Sequence, residues 1–239
     1  MWIGEHIFQS VKHKKIANWI PQIGDGFPDF QAITTKGPIR FFDWSYGHWC
    51  FVFSHQAAFT PVCTSEMVAL AAARQEFELR NVKLLGFTAL RLEEQNNWHD
   101  DIRDKFGLTV DFPIVNDQHG ALARTFGMIY ANESISSPIR KSFVLDPHMR
   151  IRMIFEYPID IGRSTEEVLR SIDALQAIDK HDIATLADWK PGNDYRRVKK
   201  PNSLNNVKTY GGFAKPRPDA TVVEWNLHAT HPSDLCSKP

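Results

Sequence analysis

The sequence predicts an α/β fold, a mixed sheet with helices on both faces. Two observations carry that expectation. Apolar, strand-sized runs recur, with Trp49-Cys-Phe-Val-Phe53 and Val82-Lys-Leu-Leu-Gly-Phe87 the clearest. Their aromatic and branched content suits strands in a core. Helical patterns alternate with them, and the order β–α–β–α–β–α–β–β–α implies helices covering both sides of one sheet.

The elements follow in order. Gly24-Asp-Gly-Phe-Pro28 is a turn entering the body of the chain, and Ala32 to Phe42 reads as two short strands around a Lys36-Gly37 turn. The strand at Trp49–Phe53 leads through polar residues into Thr60-Pro61-Val62-Cys63 and a helical pattern from about Thr64 to Arg80, stopped at Asn81. Glu93 to Phe106 is polar apart from Trp98, Ile102 and Phe106, whose spacing of four makes one apolar stripe of a surface helix. Phe112-Pro-Ile-Val115 is a short strand, and Gly120 to Phe126 a short helix closed by Gly127. Ser142-Phe-Val-Leu145 and Arg150 to Tyr157 pair around Asp146-Pro147. Ser164-Thr-Glu-Glu167 is a capping box opening a helix with Val168, Ile172 and Leu175 on one face. From Thr185 the pattern dissolves, and Trp189, Tyr210, Phe213 and Trp225 suit a tail that drapes over a surface. The expected division is an N-terminal extension (1–22), a main domain (23–180) and a C-terminal extension (181–239) that packs on the domain or on a neighbouring subunit.

Composition excludes several classes. The 239 residues carry 28 basic and 28 acidic side chains, so no net field draws the chain to nucleic acid or anionic lipid. No apolar run reaches the ~18 residues of a membrane span. Residues 1–20 hold Val11-Lys-His-Lys-Lys15 but no apolar stretch with a small-residue cleavage site, so a terminal helix is expected in preference to a signal or transit peptide. Cys50, Cys63 and Cys236 make no even disulfide framework and no C-x-x-C pair. Thiols used singly in a reducing compartment, the cytoplasm, are the expectation. His228 and His231 lack a second pair at ligand spacing, so no metal site is expected there.

Cys63 is the focus of the chain. It lies where a strand gives way to the first turn of a helix, and the free N–H groups and positive dipole end there favour an anion. Such a thiol ionises more readily than a free one, whose pKa is about 8.5. Cys50, inside an apolar strand, reads as inert core.

Five motifs in order resemble the peroxiredoxins of the AhpC/TSA type. They are Phe59-Thr-Pro-Val-Cys-Thr-Ser-Glu66, Phe112-Pro-Ile-Val with Asp117, Arg140 before Phe143-Val-Leu-Asp146, Tyr157-Pro158 leading to Gly162-Arg163, and Ala187-Asp-Trp-Lys-Pro-Gly192. The resemblance implies the long one-cysteine branch, with a thioredoxin-like fold. It implies a thiol-dependent peroxidase that reduces hydrogen peroxide and organic hydroperoxides, with Cys63 passing through a sulfenic acid. Thr60 and the N–H groups of Val62 and Cys63 would position the peroxide. By resemblance Arg140 lies beside the sulfur, Arg163 stands close behind it, and Glu66 orients both. His55 either holds peroxide or water, or forms an ordinary hydrogen bond at the strand end. No metal, haem or flavin is required. The expected partners are the hydroperoxide, an external thiol reductant of the thioredoxin, glutathione or ascorbate type, and a second copy in a homodimer, with a larger ring as an extension.

Three departures from the family pattern stand out. Gln56 occupies the position of a shielding proline, and Thr185 stands where cysteine-pair relatives carry a resolving thiol. Relatives with a lipase-like G-x-S-x-G site place it where this chain has Gly47-His-Trp-Cys-Phe51, with Phe42 at the site's histidine, so no phospholipase activity is expected. Cys236 reads as incidental, the alternative being a resolver carried on a mobile tail. Two other functions use the same residues: a redox sensor or holdase switched by oxidation of Cys63, and a thioredoxin-like structural module with a vestigial site.

Overall fold

The computed structural model describes residues 19–130, 137–181 and 183–193, with the backbone of 195–197 and 213–214. In chain order the elements are β1 (Gln31–Thr34), β2 (Gly37–Arg40), α1 (Phe41–Ser45), β3 (Trp49–Ser54), α2 (Pro61–Ala72), α3 (Arg74–Leu79), β4 (Val82–Thr88) and α4 (Leu92–Phe106). They continue with β5 (Ile114–Asn116), α5 (Ala121–Thr125), β6 (Arg140–Leu145), β7 (Ile151–Tyr157), α6 (Thr165–His181), β8 (Ile183–Thr185), β9 (Tyr195–Arg197) and β10 (Phe213–Ala214).

The chain divides into two compact units, 1–169 and 170–239. The first holds a seven-stranded sheet in the order β2-β1-β5-β4-β3-β6-β7. Strands β3, β4 and β5 run parallel, while β6 and β7 on one side and β1 and β2 on the other are antiparallel, so the sheet is mixed. All six residues of β3 are buried, as expected of a central strand covered on both faces.

Alternation along β3 sorts the two faces. Cys50 and Val52 join a cluster with Phe27, Phe30, Phe41, Leu122 and Phe126, so α1 and α5 cover that side. Phe30 stacks on Phe41 at 4.9 Å, and Phe27 packs against Phe126 at 4.6 Å. Phe51 and Phe53 point the other way and stack with each other at 5.6 Å, Phe51 also meeting Phe77 of α3 at 6.0 Å. Asp117 fixes the start of α5 by accepting from the N–H groups of Leu122 (3.3 Å) and Ala123 (2.8 Å).

Three local differences from the sequence reading have physical causes. Phe41 and Phe42 open the short helix α1, because burial of Phe41 against Phe30 and Phe27 outweighs its strand propensity. The helical run after Cys63 breaks at Ala73 into α2 and α3, and Asn81 then takes a left-handed φ of 56° to enter β4. Trp98 and Ile102 of α4 are fully buried, but Phe106 is 51% exposed at the last turn, where the helix runs out into left-handed Gly107.

In the second unit Ile172, Leu175, Ile183 and Trp189 are buried, and Arg170 donates to the Trp189 carbonyl at 3.1 Å. Strands β8, β9 and β10 form its three-stranded sheet. Trp189 is thus an anchored aromatic. Tyr210, Trp225, His228, His231 and Cys236 lie outside the described residues, as does the basic segment Val11–Lys15.

Candidate active site

Helix α2 starts at Pro61, whose fixed φ and missing N–H suit a first helical position. Cys63 is therefore its third residue. The preceding Phe59 adopts a left-handed φ of 58°, uncommon for a bulky side chain, and this turns the chain sharply into the helix. Thr60 is the N-cap, yet its side chain makes no capping bond. Its hydroxyl reaches the Ala57 carbonyl at 3.2 Å and also faces the Cys63 sulfur. Thr64 N–H closes the first turn on the Thr60 carbonyl at 2.9 Å, so the N–H groups of Val62 and Cys63 lie ahead of the helical ladder.

Cys63 is 1% exposed, rimmed by half-buried Thr60 and Gln56 and exposed Pro61. Burial alone raises a thiol pKa. Here the Thr60 hydroxyl, the backbone of Ala57, the Arg140 guanidinium and the backbone of Gln56 outweigh it, and the thiol is held below its ordinary value. Cys50 shows the contrast: fully buried without such donors, it is pushed up to about 12 by burial, against the pull of Lys83.

Arg140 opens β6, the antiparallel neighbour of β3. Its Nη1 lies 3.4 Å from Cys63 Sγ and 2.6 Å from Glu66 Oε2, while its Nε donates to the Ile159 carbonyl at 2.8 Å. Glu66, one turn after Cys63, also accepts from Arg163 through the backbone N–H (2.7 Å), Nε (2.9 Å) and Nη2 (2.9 Å). Burial would raise the Glu66 carboxyl, but the two arginines hold it below the usual carboxylate range. Two guanidinium groups and one carboxylate leave a single net positive charge, and a Cys63 thiolate brings the buried cluster to zero. Neutrality of the ionised state favours the anion in a low-dielectric setting.

The remaining sequence candidates fall around this core. Val62 packs beside Gly162, where an added Cβ would stand 3.5 Å from its Cγ1 and 3.8 Å from Glu66 Cγ. His55 follows β3 and is 1% exposed, its ring 5.4 Å from that of Trp98. Neither of its ring nitrogens has a hydrogen-bond partner among the described residues, while its backbone N–H donates to the Phe87 carbonyl at 3.0 Å. Thr60, Val62, Cys63, Glu66, Arg140, Arg163 and His55 are thus brought into one neighbourhood.

Three supporting residues were not anticipated. Ser142 accepts from Arg163 Nη1 at 2.9 Å, and the Arg163 guanidinium lies over the Phe53 ring at 5.2 Å. Alternation on β6 was the available signal, since residue 142 shares a face with Arg140. Ser54 donates to the carbonyls of Ile139 (2.5 Å) and Lys141 (3.1 Å) and accepts from the Lys141 N–H at 3.2 Å, clasping the backbone on both sides of Arg140. No sequence signal marked that contact.

The family model described as AhpC/TSA family matches residues 23–154. This chain belongs to that family. It is a thiol-dependent peroxidase of the peroxiredoxin type. Among its relatives is a peroxiredoxin of Aquifex aeolicus, 41% identical over 172 residues that make 72% of this chain and 78% of that one. The mitochondrial peroxiredoxin PRX1 of Saccharomyces cerevisiae is 39% identical over 207 residues, 82% of this chain and 78% of the relative. Two solved peroxiredoxins share the thioredoxin-like fold. A yeast mitochondrial 1-Cys peroxiredoxin, described as resolved by glutathione and thioredoxin systems, superposes with a TM-score of 0.73 at 36% identity, covering 82% of this chain and 100% of its own. Peroxiredoxin 6 of Arenicola marina gives a TM-score of 0.71 at 32% identity, covering 78% and 87%.

Proposed function

We propose that Cys63 is the peroxidatic nucleophile, that Thr60 and the N–H groups of Val62 and Cys63 position the peroxide, and that Arg140 stabilises both the thiolate and the transition state. The observation that carries this reading is the single guanidinium shared between Cys63 Sγ at 3.4 Å and Glu66 at 2.6 Å. In the reaction the thiolate attacks the terminal oxygen of ROOH. The S–O bond forms as the O–O bond breaks, and the electron pair leaves on the alkoxide, which takes a proton to become ROH. Sulfur is oxidised to the sulfenic acid. Fixed donors aimed at the transferring and leaving oxygens are the main source of acceleration.

The second half is the return to thiol. An external thiol attacks the sulfenic sulfur, water leaves, and a second thiol releases Cys63 from the mixed disulfide. A thioredoxin- or glutathione-type reductant fits, since Thr185 occupies the resolver position and the yeast relative is described with those systems. A one-cysteine cycle exposes the sulfenic acid to a second peroxide, which gives sulfinic acid. We also assign residues 23–180 as the peroxidase domain of a cytoplasmic homodimer, one that a larger ring would extend. The edge position of β7 supports the dimer by offering unpaired backbone to a second copy.

The test is peroxide consumption with dithiothreitol as reductant. Cys63→Ser abolishes turnover and Cys236→Ser leaves it unchanged. Turnover surviving in Cys63→Ser overturns the nucleophile assignment, and loss in Cys236→Ser overturns the one-cysteine cycle.

A further inference from the structure

Gln56 departs from the family pattern right beside the reactive sulfur. It is half-buried in the loop between β3 and α2, one residue after His55, whose N–H is tied to the Phe87 carbonyl at 3.0 Å. Past that tie the loop leaves the sheet. Among the described residues neither the Gln56 nor the Ala57 N–H has a backbone acceptor. Both are turned toward the Cys63 sulfur, which Arg140 Nη1 meets from another side at 3.4 Å. The Thr60 hydroxyl closes the loop on the Ala57 carbonyl at 3.2 Å and holds it in this shape. Two successive main-chain N–H groups facing one atom make a small anion-binding concavity. A proline at position 56, the residue the family pattern places there, has no N–H and would remove one of the two.

We propose that the main-chain N–H of Gln56 is a donor to the Cys63 sulfur that favours the free thiolate over its mixed disulfide with the reducing thiol, and so promotes the reductive half of the cycle. In that half a second thiolate attacks the outer sulfur of the mixed disulfide. A new S–S bond forms there, the bond to Cys63 breaks, and its electron pair leaves on Cys63 Sγ: CysS–SR + R′S⁻ → CysS⁻ + RS–SR′. Cys63 takes up no proton in this step, so its sulfur departs as an anion.

The donor discriminates between the two states of the sulfur. A thiolate is a strong acceptor and a disulfide sulfur a weak one. While the mixed disulfide stands, the Gln56 N–H is a donor left unsatisfied in a buried setting; release of the thiolate restores its bond. A thiolate that leaves more readily is also less basic and therefore a weaker nucleophile, so the same N–H slows the attack on peroxide to a smaller degree.

The inference rests on Cys63 as the nucleophile and on an external thiol, and its test separates the readings. Gln56→Pro deletes the N–H, while Gln56→Ala removes the same side chain and keeps it, so the two variants are compared with each other in a Cys236→Ser background. Each is equilibrated with reduced and oxidised glutathione, the Cys63 mixed disulfide is read by mass spectrometry, and thiolate ionisation is followed by ultraviolet absorbance. In Gln56→Pro the expected result is an equilibrium constant for the mixed disulfide about tenfold larger and a thiolate midpoint about one pH unit higher, two matching shifts. Above both midpoints its oxidation by hydrogen peroxide should be about threefold faster. Equal values in the two variants would overturn the proposal. A change in the mixed disulfide without a matching change in the midpoint would mark altered loop packing and overturn it too. Should Gln56→Pro fail to fold, isotopically labelled glutamine in the otherwise native chain decides by nuclear magnetic resonance: the Gln56 amide proton should move downfield as Cys63 ionises and lose that step in Cys63→Ser. An amide proton indifferent to Cys63 would overturn the proposal. Peroxide turnover surviving in Cys63→Ser would instead overturn the nucleophile assignment.

Discussion

Around Cys63 the decisive quantity is the balance between desolvation, which opposes a thiolate, and a few donors fixed by other interactions. Arg140 is held by Ile159 and Glu66 before any substrate arrives, so its orientation toward sulfur needs no reorganisation. Arg140→Met is expected to raise the Cys63 pKa and lower kcat/KM roughly a hundredfold; stopped-flow oxidation kinetics across pH measure both. Glu66→Gln acts in the opposite direction on the thiol. Removing the anion leaves two uncompensated guanidinium groups, so the Cys63 pKa falls further while stability drops by about 3 kcal/mol or more, read from urea denaturation. Linkage fixes the sign of the pH dependence for Glu66. Its folded pKa is depressed, so its contribution to stability is full above the unfolded value of about 4.3 and is lost as pH falls through the folded one. In Glu66→Gln that part of the acid-side loss should disappear.

The elements show how sheet alternation delivers side chains to the site. On β6 Arg140, Ser142 and Val144 share one face, while Phe143 and Leu145 join the opposite core with Phe27 and Phe126. On β4 Gly86 is required by close packing: an added Cβ would overlap Ile114 Cδ1 and stand 3.1 Å from the Phe53 ring, the ring on which Arg163 rests. Gly86→Ala is expected to destabilise by about 1–3 kcal/mol and to reduce activity through Phe53, both seen by comparing thermal melts with rates. Ser164 accepts from the Glu167 N–H at 3.2 Å, so Ser164→Ala should cost about 1 kcal/mol with no change in rate. The strands were legible because their apolar runs are long and bounded by turn residues. The break at Ala73 and the helix α1 were not. Both depend on contacts between Phe41, Phe77 and distant rings, which no local pattern displays.

At the scale of the whole molecule, the family and the mixed thioredoxin-like sheet were readable from motifs spread between Phe59 and Gly192, far apart in sequence. The same motifs named Cys63, Arg140, Glu66 and Arg163, and the fold brings those side chains within bonding distance of one another. What stayed hidden is the support: Ser54 and Ser142 are ordinary polar residues whose place is set only by tertiary packing. A homodimer predicts a sedimentation mass near twice 27.4 kDa at micromolar concentration, and a monomer at that concentration would remove the dimer from the account. A one-cysteine cycle also predicts ready overoxidation, two oxygens added to the Cys63 peptide by mass spectrometry under excess peroxide. A Cys63–Cys236 disulfide forming first would contradict it. The central claim is that buried donors hold one sulfur as an anion, and ultraviolet titration of the thiolate tests it most directly. In a Cys236→Ser background, Cys63 should ionise below the ordinary thiol value of about 8.5 and shift upward in Arg140→Met; ionisation at or above that value, indifferent to Arg140, would contradict the account.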